Sequence, residues 1–238
     1  MNRPERMESP EREFRQAGEI RTYALRQARM SPAQRRSYQE LTPRYAVPYR
    51  ASPTDLRSYY GEPERPLIME IGFGMGEGTA AIAASLPDRN FLGVEVYKPG
   101  VGKLLARVHE DGLENVRVIV HDAVEVVRDM LPAELLDGVH VFFPDPWPKK
   151  RHHKRRLIQP GFIELLRSRL RVGGYVYAVT DWEDYALQML EVFDTAEGYV
   201  NRHGGFCERA PWRPRTSFER KGLGQAHAIY DIRVERSS

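Results

Sequence analysis

One carboxylate of this chain stands between prolines, directly before a dense group of cations. Residues 142–156 read F-F-P-D-P-W-P-K-K-R-H-H-K-R-R. Pro144 fixes its own φ and Pro146 favours an extended Asp145, so the carboxylate is held rigidly. The basic run, residues 149–156, contains six lysines and arginines, two histidines and no acid. An acid held beside such a run predicts chemistry on a polyanion.

A second group of candidate residues is the glycine turn, residues 70–78, which reads E-I-G-F-G-M-G-E-G. Its glycines permit a tight turn and let the backbone approach a ligand closely. A dinucleotide fingerprint, G-x-G-x-x-G/A, requires a small residue where this chain has Glu77 or Thr79. The pattern therefore disfavours a pyrophosphate cofactor. Glu70 would repel a pyrophosphate but suits a cationic amino-acid group.

Acidic residues end several of the predicted strands. Glu95 stands where a carboxylate typically holds ribose hydroxyls, and Asp122 could accept from an adenine amino group. One acid at a strand end is usually a helix N-cap or a loop charge, but several at one edge suggest a ligand site. They match the amino, sulfonium, ribose and adenine groups of S-adenosylmethionine. The acids predicted at this edge are Glu70, Glu95, Asp122, Asp145 and Asp181.

The elements that must position these residues alternate between strand and helix from Leu67 onward. Strands are predicted at 67–71, 91–96, 116–120, 139–143 and 175–180, with late strands near 199–206 and 226–234. Helices are predicted at 77–86, 99–111, 123–131, 161–170 and 185–193, with Gly173-Gly174 as the stop signal of the fourth. This order predicts a doubly wound, mostly parallel, Rossmann-like α/β sheet flanked by helices.

Two regions are predicted, a basic N-terminal arm at residues 1–50 and one α/β domain at residues 51–238. The arm holds eleven arginines and six glutamates, a local excess of +5. Roughly its first fifteen residues are predicted to be disordered. Between Arg21 and Arg36 the arginines interleave with aromatic and amide side chains, a composition suited to phosphates and bases.

Composition limits the class of protein. Apolar residues make up 41% and charged residues 29% of the 238 positions, as in soluble globular proteins. The net charge of +3 does not by itself establish nucleic-acid binding. The single Cys207 cannot form an internal disulfide, and the sequence shows neither a secretory signal nor an apolar run of about 18 residues. We expect a cytoplasmic protein, a monomer or homodimer, without membrane, metal or obligatory protein partner.

From about residue 20 to the C-terminus, the chain resembles bacterial tRNA (guanine-N7-)-methyltransferases. The P-D-P-W-P-K-K-R-H block at 144–152 is highly specific, whereas many methyltransferases share the glycine turn. The other segments that carry the resemblance are Arg21-Thr22-Tyr23, Arg26-Gln27, Arg29-Met30, Thr180-Asp181 and Thr216-Ser217-Phe218-Glu219. The resemblance implies a class I methyltransferase fold that uses S-adenosylmethionine to methylate guanine 46 in the variable loop of tRNA.

The resemblance also assigns roles to single residues. The cofactor region comprises Glu70, Gly72, Gly74, Gly76, Glu95, Asp122 and Asp145, of which Asp145 is also catalytic. RNA or the target guanine is assigned to Lys149, Arg151, His152, His153, Lys154, Arg155, Arg156, Asp181, Thr216, Ser217, Phe218 and Glu219. Ser217 departs from the basic residue that is usual at its position. Arg213, Arg215 and Arg220 are the candidates to compensate.

The chemistry is consistent with these residue types. Guanine N7 carries a lone pair and no proton, so methylation needs alignment rather than a general base. The product is cationic, and a fixed carboxylate of Asp145, Asp181 or Glu219 would stabilise the developing charge. Trp147 could stack on a base or simply pack.

Three other functions are weighed against this one. An amino-group methyltransferase of nucleic acids would carry N/D-P-P-Y, but Trp147 replaces the second proline. The intact glycine turn argues against an RNA-binding module with a vestigial cofactor site. Glu77 and Thr79 argue against a dehydrogenase.

Overall fold

A computed structural model describes residues 20–24, 29–215, 219 and 228–238 of the chain. Its strands form one sheet in the order β3-β2-β1-β4-β5-β7-β6, with β1 to β5 parallel and β7 antiparallel to both β5 and β6. The predicted doubly wound, mostly parallel α/β fold is confirmed. The strands are β1 Leu67–Ile71, β2 Asn90–Val94, β3 Val116–Ile119, β4 Leu136–Phe142, β5 Leu170–Thr180, β6 Tyr199–Val200 and β7 Tyr230–Arg236.

Helices cover both faces of the sheet, so the central strands are apolar on both sides; β1, for example, is buried along its whole length. Side chains of α1, α2 and α3 pack on one face, and those of α5, α6 and the turn after α4 pack on the other. The helices are α1 Pro32–Tyr45, α2 Glu77–Ser85, α3 Lys98–Glu110, α4 Ala123–Glu125, α5 Pro160–Arg169 and α6 Glu183–Thr195. Shorter helical turns are a π-helix at Val126–Met130 and 3-10 turns at Arg57–Tyr59 and Lys150–Arg155.

The strand order places the topological switch point between β1 and β4. The chain runs outward from β1 through β2 to β3 and then crosses to β4, so the connections after β1 and β4 leave in opposite directions. Ile71 pairs with Val141, which brings the glycine turn and the segment after Phe142 to the same edge. Ligands of open α/β sheets bind in the crevice outside the carboxyl ends of such strands. We call this side of the sheet the carboxyl edge.

Part of the predicted N-terminal arm is folded against the domain. Helix α1 begins with a capping box in which the Ser31 and Gln34 side chains bond each other's backbone N–H groups. It packs on α3 so closely that a Cβ on Gly102 would lie 2.3 Å from the Gln34 carbonyl oxygen. Tyr45 and Val47 are buried in the core. Residues 32–47 therefore pack as part of the domain, while residues 1–19 and 25–28 lie outside the described residues.

The prediction that Gly173-Gly174 ends the fourth long helix is wrong. Helix α5 ends at Arg169, and β5 begins at the next residue. Along β5, the partner of Leu136 is Leu170 but the partner of Gly138 is Tyr175, so the glycines fall within an irregularity of the strand. Gly173 has φ 80°, which fits a bulge better than a helix stop.

The predicted late strand at 199–206 is also too long. Strand β6 ends at Val200, and only Cys207 makes a further bridge to Asp231. Of the predicted 226–234 strand, residues 226 and 227 lie outside the described residues, and β7 runs two residues beyond its predicted end.

No helix in the described part of the chain is both long enough and apolar enough to cross a membrane.

Candidate active site

The glycine turn leaves β1 in a conformation that non-glycine residues rarely adopt. Gly72, Gly74 and Gly76 have φ of 74°, 57° and 72°. A Cβ on Gly72 or Gly74 would meet nothing within 4 Å, so the front of the turn is open. A Cβ on Gly100 of α3, by contrast, would lie 1.8 Å from the Gly74 carbonyl oxygen. Helix α3 thus supports the turn from one side and leaves the other accessible to a ligand.

Glu95 ties this turn to the end of β2. Its Oε2 accepts a hydrogen bond from the Gly74 N–H at 2.8 Å, and its Oε1 accepts from Val96 at 2.7 Å and Tyr97 at 2.9 Å. Three backbone donors on one largely buried carboxylate fix its position. Glu95 therefore shapes the glycine turn, whatever it also binds.

Glu70 is a buried carboxyl group with unused hydrogen-bonding capacity. Its side chain is 5% exposed, and its Oε2 has no partner among the described residues. Burial is the main cause that raises the pKa of Glu70 to about 7, and the nearby charge of Glu95 acts in the same direction. An unpaired carboxyl oxygen beside an open turn fits a cationic ligand group, as the amino-acid end of S-adenosylmethionine would supply.

Asp122 has the N-cap role that strand-end acids often have. Its Oδ1 accepts from the Val124 N–H at 2.8 Å, at the start of α4. It also lines a cleft of about 210 Å³ that extends to the basic run. Residues from three segments meet there: Ile20, Thr22, Asp122, Val124, Lys154, Arg156, Leu157, Gln159 and Phe162.

The Asp145 turn, residues 143–148, is strained on both sides of the carboxylate. Phe143 has φ 51° and Trp147 has φ 46°, which is unusual for bulky residues. Such conformations cost about 1–3 kcal/mol each and persist where surrounding contacts enforce them. The Phe143 N–H donates to the Val179 carbonyl at 2.7 Å, which anchors the entry to the turn.

A short N-terminal segment, Ile20–Ala24, lies across the Asp145 turn. The Ala24 N–H donates to Asp145 Oδ2 at 2.7 Å, and Trp147 Nε1 donates to the Thr22 carbonyl at 3.1 Å. Sequence reasoning did not find these contacts. Both contacts use backbone atoms of the segment, which the residue types do not reveal. The only sequence signal for this region is that Arg21-Thr22-Tyr23 is one of the segments that carry the family resemblance.

Asp181 follows β5 and lies next to the Asp145 turn. The pairing of Phe142 with Val179 brings the ends of β4 and β5 together. Asp181 is half-buried, and no hydrogen bond or ion pair to it is found in the described part of the chain. Asp145 and Asp181 therefore follow neighbouring strands at the carboxyl edge.

Most of the basic run forms a solvated surface. Lys149, Lys150, Arg151 and Lys154 are exposed. Arg155 lies over the Trp147 ring, 4.7 Å from its centroid, so that one ring face is already covered. Partial desolvation and the neighbouring cations, Arg151 first, lower the pKa of His152 and favour its neutral form.

Arg156 does not belong to this surface. Its side chain is 1% exposed and is paired with Asp184 at 2.5 Å. The guanidinium is bonded to acceptors within the protein rather than exposed to solvent, and RNA binding by Arg156 stays a prediction.

The T-S-F-E motif is described only at its last residue, since Thr216, Ser217 and Phe218 lie outside the described residues. Glu219 is 2% exposed, and its Oε1 accepts from Arg213 at 2.8 Å. Arg213 is equally buried and lies 3.2 Å from Asp231. Glu219 and Arg213 neutralise each other inside the protein, and the expectations that they meet the purine and a phosphate stay predictions.

Comparisons with known proteins agree with this geometry. Residues 64–232 match a family model described as "Putative methyltransferase". A curated tRNA (guanine-N(7)-)-methyltransferase of Aromatoleum aromaticum is 52% identical over 91% of this chain and 83% of the relative. The enzyme of the same name from Nitrosospira multiformis is 52% identical over 90% of this chain and 93% of the relative.

The chain belongs to the tRNA (guanine-N(7)-)-methyltransferase family.

Solved structures show the same fold at low sequence identity. The 16S rRNA methyltransferase KamB superposes with a TM-score of 0.57 at 15% identity, over 92% of this chain and all of that one. TrmN from Thermus thermophilus gives 0.52 at 18% identity, over 73% of this chain and 45% of that one.

For this member of the tRNA (guanine-N(7)-)-methyltransferase family, the structure gathers Glu70, Glu95, Asp122, Asp145 and Asp181 at the carboxyl edge, as the sequence predicted. It turns Arg156 and Glu219 inward. No group of three or more histidine, cysteine or acidic side chains arranged to hold a metal ion occurs in the ranges that the structure describes.

Proposed function

We propose that this protein transfers the methyl group of S-adenosylmethionine to N7 of guanine 46 in the variable loop of tRNA. The observation that carries the proposal is the half-identity, over nine tenths of the chain, to enzymes named for this reaction. The gathering of acids at the carboxyl edge supports it independently.

The cofactor is held by the turn and acids after β1, β2 and β3. Gly72 and Gly74 open the space, the unpaired oxygen of Glu70 receives the ammonium group, Glu95 binds the ribose, and Asp122 accepts from adenine. S-adenosylmethionine, when bound, supplies an electrophilic methyl group. The protein's contribution is to hold the acceptor in line with that group.

Asp145 is the catalytic residue, and Asp181 assists it. N7 needs no base, since its lone pair is free. The purine gains a positive charge as the bond forms, and the carboxylates that follow β4 and β5 stabilise that charge. The Ala24 N–H donates to Asp145 Oδ2, so the segment Ile20–Ala24 lies beside the proposed catalytic carboxylate.

The tRNA backbone is bound by the exposed cations of the basic run, which lie directly beyond the Asp145 turn. These cations are Lys149, Lys150, Arg151 and Lys154, and the partly exposed Arg155 lies beside them. Helix α1 adds a second basic surface, where Arg35 and Arg36 line a cleft of about 370 Å³. The motif residues Thr216, Ser217 and Phe218 remain assigned to the substrate by resemblance alone.

The proposed location of the protein is the cytoplasm. A lone free cysteine, Cys207, accords with a cytoplasmic enzyme. Monomer and homodimer both stay predictions, which sedimentation of the free enzyme would decide.

The test is to map the methylated atom. Unmodified tRNA transcript is incubated with enzyme and labelled S-adenosylmethionine, and the modified nucleotide is located by digestion and mass spectrometry. The matched control is the same tRNA with 7-deazaguanosine at the target, which lacks N7 but keeps the rest of the base. We expect label at guanine 46 and none in the control. Label on another atom or base would contradict the proposal and identify the alternative base methyltransferase; no transfer despite cofactor binding would contradict it altogether.

A further inference from the structure

Arg156 is the only buried residue of the basic run, Lys149–Arg156, all of which the structure describes. It follows Lys154 and Arg155 in sequence, and nothing in the local composition separates it from them. Burying a guanidinium is unfavourable unless its charge is paired and its N–H groups are bonded. Because burying this charge is costly, we expect the Arg156 side chain to have a role at its buried position.

The contacts of Arg156 join three parts of the molecule. Its Nε donates to the Pro146 carbonyl at 2.9 Å, its Nη1 to Gln188 at 2.5 Å and its Nη2 to Asp184 at 2.5 Å. The guanidinium lies over the Tyr185 ring, 4.8 Å from the centroid. One planar group thus connects the Asp145 turn to the first turns of α6. The fork geometry of arginine, which lysine lacks, is what permits these separate bonds.

The Asp145 turn needs such a connection from outside. Its prolines, Pro144, Pro146 and Pro148, have no N–H groups, so the turn has few donors of its own. Phe143 and Trp147 also have positive φ values, and such strained conformations persist only where surrounding contacts enforce them. The Pro146 carbonyl is adjacent to Asp145 in the chain, and Arg156 is the group that fixes it.

Tyr185 lies under the Arg156 guanidinium, 4.8 Å from it, and is affected by both Arg156 and Asp145. Burial raises the pKa of the Tyr185 hydroxyl most; the positive charge of Arg156 lowers it and the negative charge of Asp145 raises it. Both charges therefore act on the same buried phenol.

We propose that Arg156 is a positioning residue for methyl transfer, which holds the strained Asp145 turn against α6 and does not bind RNA. The inference rests on the proposed catalytic role of Asp145. Arg156 acts through the Pro146 carbonyl on the direction of the Asp145 carboxylate. Small displacements of a reacting group cost up to about a hundredfold in rate, so the effect belongs in kcat.

The first experiment compares Arg156→Lys with Arg151→Gln and with Arg171→Lys. Arg151 is exposed in the same run, and Arg171 is exposed at the start of β5, at the far end of that strand from Asp181. We expect Arg156→Lys to lower the single-turnover rate constant of methyl transfer, and with it kcat, about tenfold or more. The salt dependence of tRNA binding should be the same as in the wild type. Arg151→Gln should raise KM for tRNA and flatten its salt dependence, and Arg171→Lys should change neither. A flattened salt slope with an intact kcat in the Arg156 variant would overturn the proposal.

The second experiment asks whether Arg156 works through Asp145. In an Asp145→Asn background, Arg156→Lys should cause little further loss, because the carboxylate that it positions is already gone. Additive losses would mean that Arg156 acts independently, which contradicts the inference. If Asp145→Asn alone is as active as the wild type, it is the proposed catalytic role that fails, so the two failures are distinguishable.

A third variant covers the case in which Arg156→Lys does not fold. Asp184 is 63% exposed, and Asp184→Asn removes the charge that pairs with Arg156 at 2.5 Å and with His153 at 3.7 Å. Calorimetric binding of S-adenosylmethionine verifies the fold without relying on activity. We expect a kcat lowered several-fold with unchanged cofactor affinity, and again no further loss in the Asp145→Asn background. Wild-type kcat in this variant would overturn the proposal.

Discussion

The carboxylates of the cofactor region and the cations of the basic run lie at the same edge of the sheet but are held in opposite ways. Glu95 accepts three backbone hydrogen bonds and Asp122 caps α4, and both are largely buried. Lys149 and Lys154 are exposed. Removing a buried, bonded charge leaves unpaired donors, whereas removing a solvated one eliminates only a screened attraction. We therefore expect one substitution among the buried carboxylates to have a large effect. We expect each substitution in the basic run to have a small effect, which becomes visible when several are combined.

Arginines occur on both sides of this division. Arg156 and Arg213 are 1% and 2% exposed and are paired with acids within the protein. We therefore expect their substitution to have a large effect, as for the buried carboxylates. Arg151, in the middle of the same run, belongs to the solvated group. Burial, rather than residue type, decides which behaviour to expect.

The largest effect is expected at Asp145. Asp145→Asn keeps the shape and the capacity to accept the Ala24 N–H but removes the charge, so the rate should fall about a hundredfold or more. Binding of tRNA should change little. Asp194→Asn, an exposed acid on α6, is the matched control and should be neutral. Single-turnover kinetics give the answer, and near-wild-type turnover would remove Asp145 from catalysis.

Glu70 should give the apo enzyme a pH-dependent stability. Its pKa of about 7 in the folded state exceeds the value of 4.5 expected without burial, so the folded state binds more protons between these pH values. Stability therefore falls as pH rises through this window, by roughly 3 kcal/mol at most. Urea unfolding at about pH 5 and about pH 8 should show this decrease in the wild type and not in Glu70→Gln. Parallel profiles in the two proteins would refute the expectation.

Glu95 should affect the cofactor and not the RNA. Glu95→Ala frees three backbone donors and loosens Gly74, so affinity for S-adenosylmethionine should fall about tenfold or more. Affinity for tRNA should be unchanged. Glu110→Ala, at the exposed end of α3, provides the control. Calorimetry that finds the same cofactor affinity in both variants would withdraw the role of Glu95.

The smallest single effects are expected in the basic run. Arg151→Gln with Lys154→Gln should lower the slope of log K against log salt by roughly 0.7–0.9 for each phosphate that the protein no longer neutralises. The control with equal charge removal is Arg65→Gln with Arg171→Gln, at the starts of β1 and β5. Equal slopes in the two double variants would mean that this run is only a solvated surface, and attention would move to Arg35 and Arg36 on α1.

Sequence alone determined the sheet and the identity of its carboxyl edge. Strand β1 was predicted with its observed bounds, because a short apolar run between turn residues has few alternatives. The glycine turn and the Asp145 turn were found for a similar reason, since glycine and proline restrict the backbone locally. Helix α1 was missed because its apolar residues are few, and it is stabilised by packing on α3 rather than by its own pattern.

Only the tertiary structure decided which charged side chains are exposed to solvent and which are bonded within the protein. Six lysines and arginines in the basic run look alike in sequence, and Arg156 differs because Asp184 and Gln188, about thirty residues away along the chain, surround it. Glu219 is likewise buried with Arg213, and Asp145 accepts a hydrogen bond from the backbone of Ala24. Desolvation depends on every neighbour in space, and a linear pattern contains only the neighbours in sequence.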